Sequence, residues 1–548
     1  MNFTHISIGG GIVGIETAIS VFNNICLYLK NKKFQKKLKG KKFSFAIVDA
    51  KPQNIPGGVA YGFEASQYGY FNNPLRLSPT DLKKWISLKS NKRRLIIYLK
   101  KYGGFTGKVW LKENLNILNS SNKKRFDELY FPRVLANFWM EEKLILLIKK
   151  MRKVNKKFSV FFDISFIKGE VISLSKNSNR FSNIFFKENK YNILQLKISN
   201  KHLKKINFKN SILKTGSISS ITHCISLGLP PPKELAINKT QNHKNYIWDF
   251  YYSGGTANLV KKIFLQVKKL KRKSIVIYFI GYKAGLLEPL SELKYIIEKS
   301  NISMKMICSS SNLLGMQKAR GALKNKNYKL KIFAEKNLKK IKTSKELFLS
   351  LLKEFKNAED KGYNKYDAWT KILDNEILNK CISNLSNKEK NLYKNIIFHK
   401  IRAITRFTYP ATIEARDHLL KSGMLLAKKE KVKKVDSSNS KLLVYVKDLH
   451  NVQKKYFCDF VVNVSGPLSA EKLENEWPLV NCLKKNNGKV ATGGFVVDSN
   501  FELVNNKNIY LPGYLANGFN PERKTIIKAI LENSNIVGKK IAKNVVSV

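Results

Sequence analysis

The sequence predicts an α/β fold built around two Rossmann-like dinucleotide-binding units. A strand, a glycine turn and a helix follow one another at His5–Glu16, and the same pattern returns with an altered turn at 273–296. The chain has 548 residues, of which 43% are apolar and 11% aromatic. Because one hydrophobic core seldom extends over so long a chain, we expect two or three domains.

The first unit begins with an apolar strand at residues 5–9 and continues as a helix from Gly11 to about Leu29. Between them lies the frame Gly9-x-Gly11-x-x-Gly14, with Gly10 inside the turn. Glycines permit the tight turn, let the backbone approach a pyrophosphate and let the helix pack close to the strand. The helix N-terminus adds free N–H groups for the anion. An ordinary glycine turn is the alternative interpretation.

A second strand, "FSFAIVDA", ends at Asp49, after a predicted lysine-rich loop at Lys30–Lys42. An acidic residue at this strand end accepts hydrogen bonds from a ribose hydroxyl in dinucleotide-binding folds. The interval from Gly14 to Asp49 exceeds the usual separation of about 20 residues, and the lysine-rich insertion explains the excess.

The segment "IPGGVAYGFEASQYGYFNNPLRLSPTDLKKWI" follows, with Gly57, Gly58 and Gly62 close together and Asn72-x-Pro74 soon after. Its many backbone donors are typical of a loop that lines the ring system of a cofactor. An ordinary surface loop is the alternative.

The remaining chain alternates between strand and helix patterns. Helices are expected at 126–150, after Gly281, through much of 330–400 and at about 520–544. Strands are expected at 161–174, 185–214, 221–228, 273–280, 302–311, 442–448, 459–467 and 508–513. The strand at 221–228 ends in Gly228 and a proline run, which continues neither a helix nor a central strand.

The second glycine turn departs from the frame of the first. Gly281 and Gly285 are present, but Lys283 stands at the place of the second glycine and Leu286 at the place of the third. A lysine there crowds a pyrophosphate unless its ammonium group itself makes the anion contact.

The formal charge of +62 does not by itself predict a nucleic-acid-binding protein. Only 13 of the 101 basic residues are Arg, and the lysines are spread over nearly every segment together with many Asn and Ile. A phosphate-reading surface gathers its charge on one face and uses Arg for bidentate contacts. We therefore expect non-specific polyanion binding and no specific nucleic acid.

No apolar run reaches the roughly 18 residues that a membrane span needs, and the first strand leaves no room for a secretion signal. We expect neither a membrane protein nor a metal site. The six cysteines are scattered singly, which favours reduced thiols in the cytoplasm over a disulfide set or a zinc site.

The order of these motifs resembles a family of bacterial FAD/NAD(P)-binding flavoproteins that includes urate hydroxylase-like and amino-acid N-oxidising monooxygenases. The resemblance runs nearly end to end. It rests on "IGGGIVG", "GGVAYG" with "FNNPLRLSPTDLKKWI", "FPRVLANFW", "KGEVISL", "SLGLPPP", "RFTYPATIEARDHLLKSG", "FVVNVSGP" and "IYLPGYLANGF".

Membership implies a discontinuous FAD-binding domain formed by 1–240 and 435–548. A Rossmann-like and helical NAD(P)- or substrate-binding domain at 245–434 is inserted into it. The resemblance implies a cofactor site formed by Gly9, Gly10, Gly11, Gly14, Asp49, Gly58, Tyr61, Asn72, Ser78, Val171, Gly228, Gly513, Asn517 and Gly518. In the second domain it implies a nucleotide contact at Gly281, Lys283 and Gly285.

The second domain lacks the Gly-x-Gly turn and the Arg-containing segment of the family. At those places the chain has "GYKAG" and "SSSNLLG". Loss of that Arg removes the usual contact for a 2′-phosphate, so whether NADPH or NADH is used stays open.

The resemblance implies an FAD-dependent oxidoreductase, a monooxygenase that hydroxylates a small nitrogen-containing metabolite with reduced flavin and O2. An amino acid or a purine-like compound is the expected substrate. The alternative is a flavin-binding protein without NAD(P)H turnover that acts as a partner in a biosynthetic assembly. The sequence assigns no catalytic residue and no oligomeric state.

Three arginines, Arg402, Arg406 and Arg416, are candidates for contact with an anionic substrate. Arg402 and Arg406 are separated by four residues and share a helix face if the segment is helical. A solvated helical face is the alternative interpretation.

Overall fold

The computed structural model describes most of the chain. The described residues are 2–51, 53, 55–63, 67–120, 122–176, 182–187, 217–227, 232–236, 243–270, 274–282, 284–311, 313, 317–318, 328–363, 365–405, 407–438, 441–468, 473, 477–491, 494–516 and 526–547.

The strands of this part of the chain alternate with helices and fall into two larger sheets and three smaller ones. They are β1 (Asn2–Ile8), β2 (Lys42–Asp49), β3 (Phe161–Lys168), β4 (Glu170–Lys176), β5 (Ser182–Lys187), β6 (Ser217–Ile225), β7 (Tyr246–Ile247), β8 (Ser274–Ile280), β9 (Ser303–Ser309), β10 (Gln317–Lys318), β11 (Phe407–Thr408), β12 (Leu425–Lys428), β13 (Glu430–Ser438), β14 (Lys441–Asp448), β15 (Gln453–Cys458), β16 (Phe460–Asn463), β17 (Val490–Ala491), β18 (Gly494–Phe495) and β19 (Ile509–Tyr510).

The helices cover the sheets and build a separate helical region between β10 and β11. They are α1 (Ile12–Tyr28), α2 (Lys32–Leu38), α3 (Gly58–Tyr61), α4 (Thr80–Ser87), α5 (Lys89–Tyr102), α6 (Gly104–Asn119), α7 (Lys123–Asp127), α8 (Val134–Phe158), α9 (Gly255–Leu270), α10 (Ala284–Lys299), α11 (Glu335–Leu338), α12 (Ser344–Asp360), α13 (Lys365–Asp374), α14 (Ile377–Ser383), α15 (Asn387–Leu392), α16 (Phe398–Ile404), α17 (Pro410–Lys421), α18 (Pro478–Lys485) and α19 (Ile526–Ser547).

The first large sheet has the order β3-β2-β1-β6-β5-β4. Strand β19 also pairs with β6, outside this linear order. Strands β3, β2, β1, β6 and β19 run parallel, whereas β4, β5 and β6 form an antiparallel meander. Helices α1 and α19 pack together against this sheet, in a core that includes Phe22, Ile25 and Val537. The carboxyl ends of β1 and β2 therefore meet at one edge, where the first glycine turn lies.

The second large sheet repeats this plan. Its order is β12-β9-β8-β16-β7, all parallel, and β13, β14 and β15 form the antiparallel meander that packs on it. Strand β8 takes the place of β1, β9 that of β2, β16 that of β6 and β7 that of β19. The predicted α/β fold is confirmed.

The segment predicted as the C-terminal part of the first domain, 435–548, contributes to both sheets. Strand β16 pairs with β8 and β7 of the second sheet, whereas β19 pairs with β6 of the first. The chain thus returns to the first sheet only after Asn463.

The predicted lysine-rich loop at Lys30–Lys42 was wrong over Lys32–Leu38, which form helix α2. The side chain of Asn31 accepts a hydrogen bond of 2.9 Å from the Lys33 backbone N–H, and Leu38 is buried. An N-cap asparagine supplies the acceptor that a helix start needs, and one buried leucine anchors an otherwise solvated helix.

The helical region, α11 to α16, has its own hydrophobic core around Leu347, Phe355 and Ile372. The buried carboxylate of Glu354 accepts backbone hydrogen bonds from Ile332 at 2.7 Å and from Phe333 at 3.0 Å. This carboxylate fixes the start of the region, because buried N–H groups need acceptors.

The second unit is tied to the first through helix α10. Glu292, which is buried, accepts hydrogen bonds from the backbone N–H groups of Phe105 at 3.0 Å and Thr106 at 2.8 Å, and from the Thr106 hydroxyl at 2.6 Å. The carboxylate therefore satisfies N–H groups in the first turn of α6, where a negative charge is stabilised by the helix dipole.

Candidate functional site

A cavity of about 1070 Å³ lies at the carboxyl ends of both large sheets. This is the edge at which open α/β sheets bind ligands. Its wall includes the first glycine turn, the end of β2, the loop around α3, the linker before α9, the start of α10, the end of β16 and parts of the helical region and α19. A single cavity thus reaches both glycine turns.

The first turn has the geometry that its glycines predict. Gly9 has a φ of +102°, which favours glycine, and its N–H donates to the Val48 carbonyl at 2.7 Å. A Cβ on Gly14 would overlap the Gly9 carbonyl oxygen and lie 2.6 Å from the Ser226 hydroxyl. Gly14 is therefore the close-packing glycine between helix and strand.

Asp49 holds the turn from the neighbouring strand end. Its carboxylate accepts the N–H of Gly10 at 2.6 Å and the N–H of Lys51 at 2.7 Å. Burial raises the pKa of Asp49, and these two hydrogen bonds, with the charge of Lys51, act in the opposite direction. The predicted acidic residue thus lies against the glycine turn, with its carboxylate in the cavity wall.

Gly11 and Gly58 lie side by side in the cavity wall. A Cβ on Gly58, whose φ is +69°, would come within 2.9 Å of the Gly11 Cα. The two backbones are therefore in direct contact, and a side chain on Gly58 would push the loop around α3 away from the first glycine turn. Tyr61, Asn72 and Ser78, from the predicted cofactor-lining loop, also line the cavity.

The turn between β3 and β4 also forms part of the cavity wall, through Gly169, Glu170 and Val171. Lys51 reaches across the opening, where its ammonium group donates to the Tyr252 carbonyl and lies 5.4 Å from the centre of that ring. The linker before α9 is therefore fastened to the first sheet at this point.

The second turn keeps part of the geometry of the first. Gly281 has a φ of +117° and its N–H donates to Ser309 at 2.8 Å. Gly285 lines the cavity, and a Cβ there would lie 3.3 Å from Val464. Leu286 is buried in the core of the second sheet. Lys283 lies outside the described residues.

Several other predicted site residues fall outside the described part or away from the cavity wall. Gly228, Arg406, Asn517 and Gly518 lie outside the described residues, as does the side chain of Arg402. A Cβ on Gly513 would lie 3.8 Å from the Val13 side chain and from the Leu227 carbonyl oxygen. Leu227 and Tyr514 do line the cavity.

Arg416 does not reach the cavity wall. Its guanidinium forms hydrogen bonds of 2.8 and 2.7 Å with Asp417, the next residue of α17. The structure thus places this arginine in an ion pair with its neighbour, near Tyr282 of the second glycine turn, where its charge counteracts the burial that raises the pKa of the Tyr282 phenol.

Arg133 is the cavity residue that the sequence reasoning missed as a functional candidate. It precedes α8 within "FPRVLANFW", and its side chain is 14% exposed. Its Nε donates to the Tyr70 carbonyl at 3.0 Å, and its Nη1 lies 3.4 Å from the Glu288 carboxylate. An arginine among the aromatic residues of "FPRVLANFW" was the signal in the sequence, and its partner Glu288 is 155 residues away.

The surroundings of Arg133 keep it charged. Burial works against the charged guanidinium, but Tyr251, Glu288 and Tyr61 outweigh it and raise the pKa of Arg133. Burial raises the pKa of Glu288, against the influence of Arg133 and Thr256. Tyr251 is hydrogen-bonded to Arg133 and lines the same wall.

The helical region completes the cavity. Trp369, Leu373 and Thr405 all line it. Trp369 and Leu373 are four residues apart on α13 and thus share one face of that helix. The site is therefore assembled from both sheets and from the helical insertion.

Fold and site together define the class of two-unit, Rossmann-type dinucleotide folds. The FAD-bound crystal structure of DfoA, the cadaverine monooxygenase of desferrioxamine biosynthesis from Erwinia amylovora, covers 100% of this chain and 96% of its own, at 9% identity and a TM-score of 0.50. The reduced ornithine hydroxylase PvdA from Pseudomonas aeruginosa covers 100% and 99%, at 11% identity and a TM-score of 0.46. The first likeness supports the fold.

The curated relatives match only part of this chain. Uncharacterized proteins of Mycobacterium bovis and Mycobacterium tuberculosis are 21% identical over 238 residues. This match spans 41% of the chain and 38% of the length of those relatives. No protein-family profile matches the chain.

Within the described ranges, no group of three His, Cys, Asp or Glu side chains is placed to hold a metal ion. No single described helix has the length and apolar character of a membrane span, and α1 and α2 pass that test only as a pair bent by 115°.

Proposed function

We propose that the protein is an FAD-dependent oxidoreductase, a monooxygenase that hydroxylates a small amine-containing metabolite with reduced flavin and O2. The observation that supports this most is the single cavity. It joins the Gly9–Gly14 turn, Asp49 and Val171 of the first sheet to Gly285 and the end of β16 in the second. A flavin enzyme needs such continuity to bring cofactor, reductant and substrate together.

The first sheet carries the groups that fit FAD. The turn formed by Gly9, Gly11 and Gly14 would hold the pyrophosphate at the start of α1, and Asp49 the adenosine ribose. Val171 would meet the adenine through its backbone. Gly58, Tyr61, Asn72 and Ser78, which line the cavity, would lie along the ribityl chain and the ring.

FAD, when bound, supplies the electron transfer and oxygen chemistry, and the protein orients the reactants and keeps water out. The apolar groups Trp369 and Leu373 exclude water from the junction of the two units. Asp49 fixes the glycine turn through Gly10. These roles explain how a site without an assigned acid–base residue supports the reaction.

The second turn is the proposed place of NADPH or NADH. Gly281 and Gly285 retain the backbone path at the start of α10, and Lys283 would supply the charge that a phosphate needs at that turn. The segment after β9 offers Ser309 and Ser310 in place of an arginine, so we expect discrimination between the two nucleotides to be weak.

The absorbance spectrum of the purified protein, with identification of the flavin released on denaturation, tests the first half of the proposal. Oxidation of NADH and NADPH in air, with an oxygen electrode and a panel of amino acids, diamines and purines, tests the second. Bound FAD with substrate-dependent oxygen uptake is the expected result. Absence of bound flavin after reconstitution with FAD contradicts the proposal.

The alternative is a flavin-binding protein without NAD(P)H turnover, acting as a partner in a biosynthetic assembly. It is favoured by Leu286, a buried side chain at the place where the first turn has Gly14. Under this alternative the protein binds FAD, yet neither nucleotide bleaches it anaerobically.

The division of the chain is part of the same proposal. We place the second unit between about residue 245 and the end of β16, so that the first unit resumes after Asn463 and not at 435. We propose a cytoplasmic location because all six cysteines are unpaired thiols, as expected in a reducing compartment.

A further inference from the structure

We propose that Arg133 is the specificity-determining residue that binds a carboxylate of the substrate, and that this substrate carries an aromatic or otherwise planar apolar body. The proposal rests on the proposed function and names the substrate class of that same cavity. Neither a diamine nor a neutral purine offers the group that Arg133 recognises.

Charge is the first argument. The charged residues among the described cavity-lining groups are Asp49, Lys51, Arg133, Glu170 and Asp249. Of the two cations, Lys51 lies two residues after Asp49 and is engaged with the Tyr252 carbonyl. Arg133 is therefore the cation that faces the junction of the two units, where Tyr61 and Tyr251 also lie.

The donor geometry of Arg133 is the second argument. A guanidinium has five N–H donors in a planar fork that matches a carboxylate. The contacts with the Tyr70 carbonyl, Glu288 and Tyr251 use fewer than these five donors. The Glu288 contact, at 3.4 Å, is also longer than a charge-assisted hydrogen bond of about 2.7–2.9 Å, so the fork is not saturated by it.

The environment holds the arginine in place and in its charged state. Glu288 also accepts from the Thr256 hydroxyl at 3.2 Å. A Cβ on Gly69 would lie 2.8 Å from the Glu288 carboxylate and 3.2 Å from the Arg133 Nε. Gly69 thus closes one side of the pair, and the cavity is the side on which Arg133 meets a ligand.

The walls around Arg133 define the rest of the substrate. Tyr61, Tyr251 and Trp369 line the cavity, and the Arg133 guanidinium carbon lies 5.9 Å from the Tyr251 ring centre. Tyr61 packs against Phe71 with 6.2 Å between ring centres. Aromatic surfaces gain most from a planar apolar body, whereas a flexible cationic chain gains little beside a fixed positive charge.

The test uses isothermal titration calorimetry with benzoate and its neutral isostere benzamide. The wild-type holoprotein is expected to bind benzoate at least tenfold more tightly than benzamide. Arg133→Met is expected to lose at least tenfold in benzoate affinity with benzamide unchanged, and Arg133→Lys to fall between the two. Equal affinity of the wild type for both probes overturns the proposal, and that comparison needs no variant.

Arg94→Met is the matched control. Arg94 of α5 pairs with Glu141 of α8, the helix that Arg133 precedes. The side chains of Arg94 and Glu141 are 20% and 3% exposed, against 14% and 3% for Arg133 and Glu288. Arg94 does not line the cavity, so its variant is expected to bind benzoate as the wild type does.

The flavin content of each sample separates the two proposals. A protein that carries no FAD and still prefers benzoate contradicts the proposed function but supports the carboxylate site. A flavin-loaded protein indifferent to the charge of the probe overturns the carboxylate site alone. Loss of FAD from Arg133→Met, with benzoate affinity retained after reconstitution, places Arg133 in the cofactor site and overturns the inference.

Discussion

Gly281 occupies in the second sheet the position that Gly9 occupies in the first. Both follow the central strand of a parallel sheet, with φ values of +117° and +102°, and both donate their N–H to the last residues of the neighbouring strand, Ser309 and Val48. Each glycine packs against the backbone of a serine that follows the next strand of its sheet. A Cβ on Gly281 would lie 2.8 Å from Ser465, and one on Gly9 would lie 2.9 Å from Ser226.

The two turns diverge at the third position of the frame. Gly14 lets α1 pack onto the Gly9 carbonyl, whereas Leu286 is buried on the helix that follows Gly281. The second turn therefore keeps the positive φ at the end of the strand, but it lacks the glycine that lets the following helix pack directly on the turn. If a nucleotide binds at the second turn, as we propose, it meets a helix packed differently from α1.

The variant Gly14→Ala tests the first turn. The added methyl group overlaps the Gly9 carbonyl, and a forced shift of this kind costs roughly 1–3 kcal/mol. We expect the affinity for FAD to fall by about tenfold or more, measured by fluorescence titration of the apoprotein. Gly107→Ala is the control, because its Cβ meets only ordinary contacts of 3.4 Å or more with Leu99. Equal losses in both variants contradict the role of Gly14.

The variant Asp49→Asn tests the ribose contact and the support of the turn. The amide keeps one oxygen acceptor, but its NH2 group faces one of the two backbone donors that the carboxylate now satisfies, Gly10 and Lys51. Hydrogen bonds to charged groups contribute about 1.5–3 kcal/mol, so we expect FAD affinity to fall by tenfold or more. Asp163→Asn, at an exposed position of β3, is expected to bind FAD normally. Unchanged affinity in Asp49→Asn would refute the assignment.

The fold was readable from the sequence because each central strand is apolar and ends in a glycine or an acidic residue. The Gly9 turn and Asp49 could be placed beside the cavity for the same reason, since each follows from its position at a strand end, whereas Val171 was indicated only by the family resemblance. The surroundings of Arg133 could not be predicted, because Glu288 and Tyr251 approach it only in the folded chain. Strand β16 was assigned to the wrong sheet because an apolar strand carries no mark of its neighbours.

The buried histidine of β1 predicts a pH dependence of stability. Burial, helped by His223, lowers the pKa of His5 from 6.5 to about 3. Between these values the unfolded chain binds a proton that the folded protein does not, so stability falls as the pH falls below 6.5, by up to about 1.4 kcal/mol per pH unit. Urea unfolding of the wild type and of His5→Asn between pH 7.5 and 5 measures this. A wild-type slope no steeper than that of the variant contradicts the prediction.

The contact between Glu292 and the start of α6 predicts that the two units act as one. Glu292→Gln replaces a charged acceptor of three hydrogen bonds by an amide whose NH2 group faces the same donors, Phe105 and Thr106. We expect a loss of roughly 1–3 kcal/mol in the free energy of unfolding and a slower reduction of the flavin by NAD(P)H, with FAD affinity unchanged because the first glycine turn is untouched. Stopped-flow reduction, urea unfolding and FAD titration separate these effects. Glu298→Gln is the matched control on the same helix, because Glu298 is 39% exposed and its ion pairs, with Lys294 of α10 at 3.4 Å and His418 of α17 at 3.9 Å, do not involve α6. If Glu292→Gln reduces its flavin at the wild-type rate while losing stability, the contact is a structural anchor and does not align the second unit for hydride transfer.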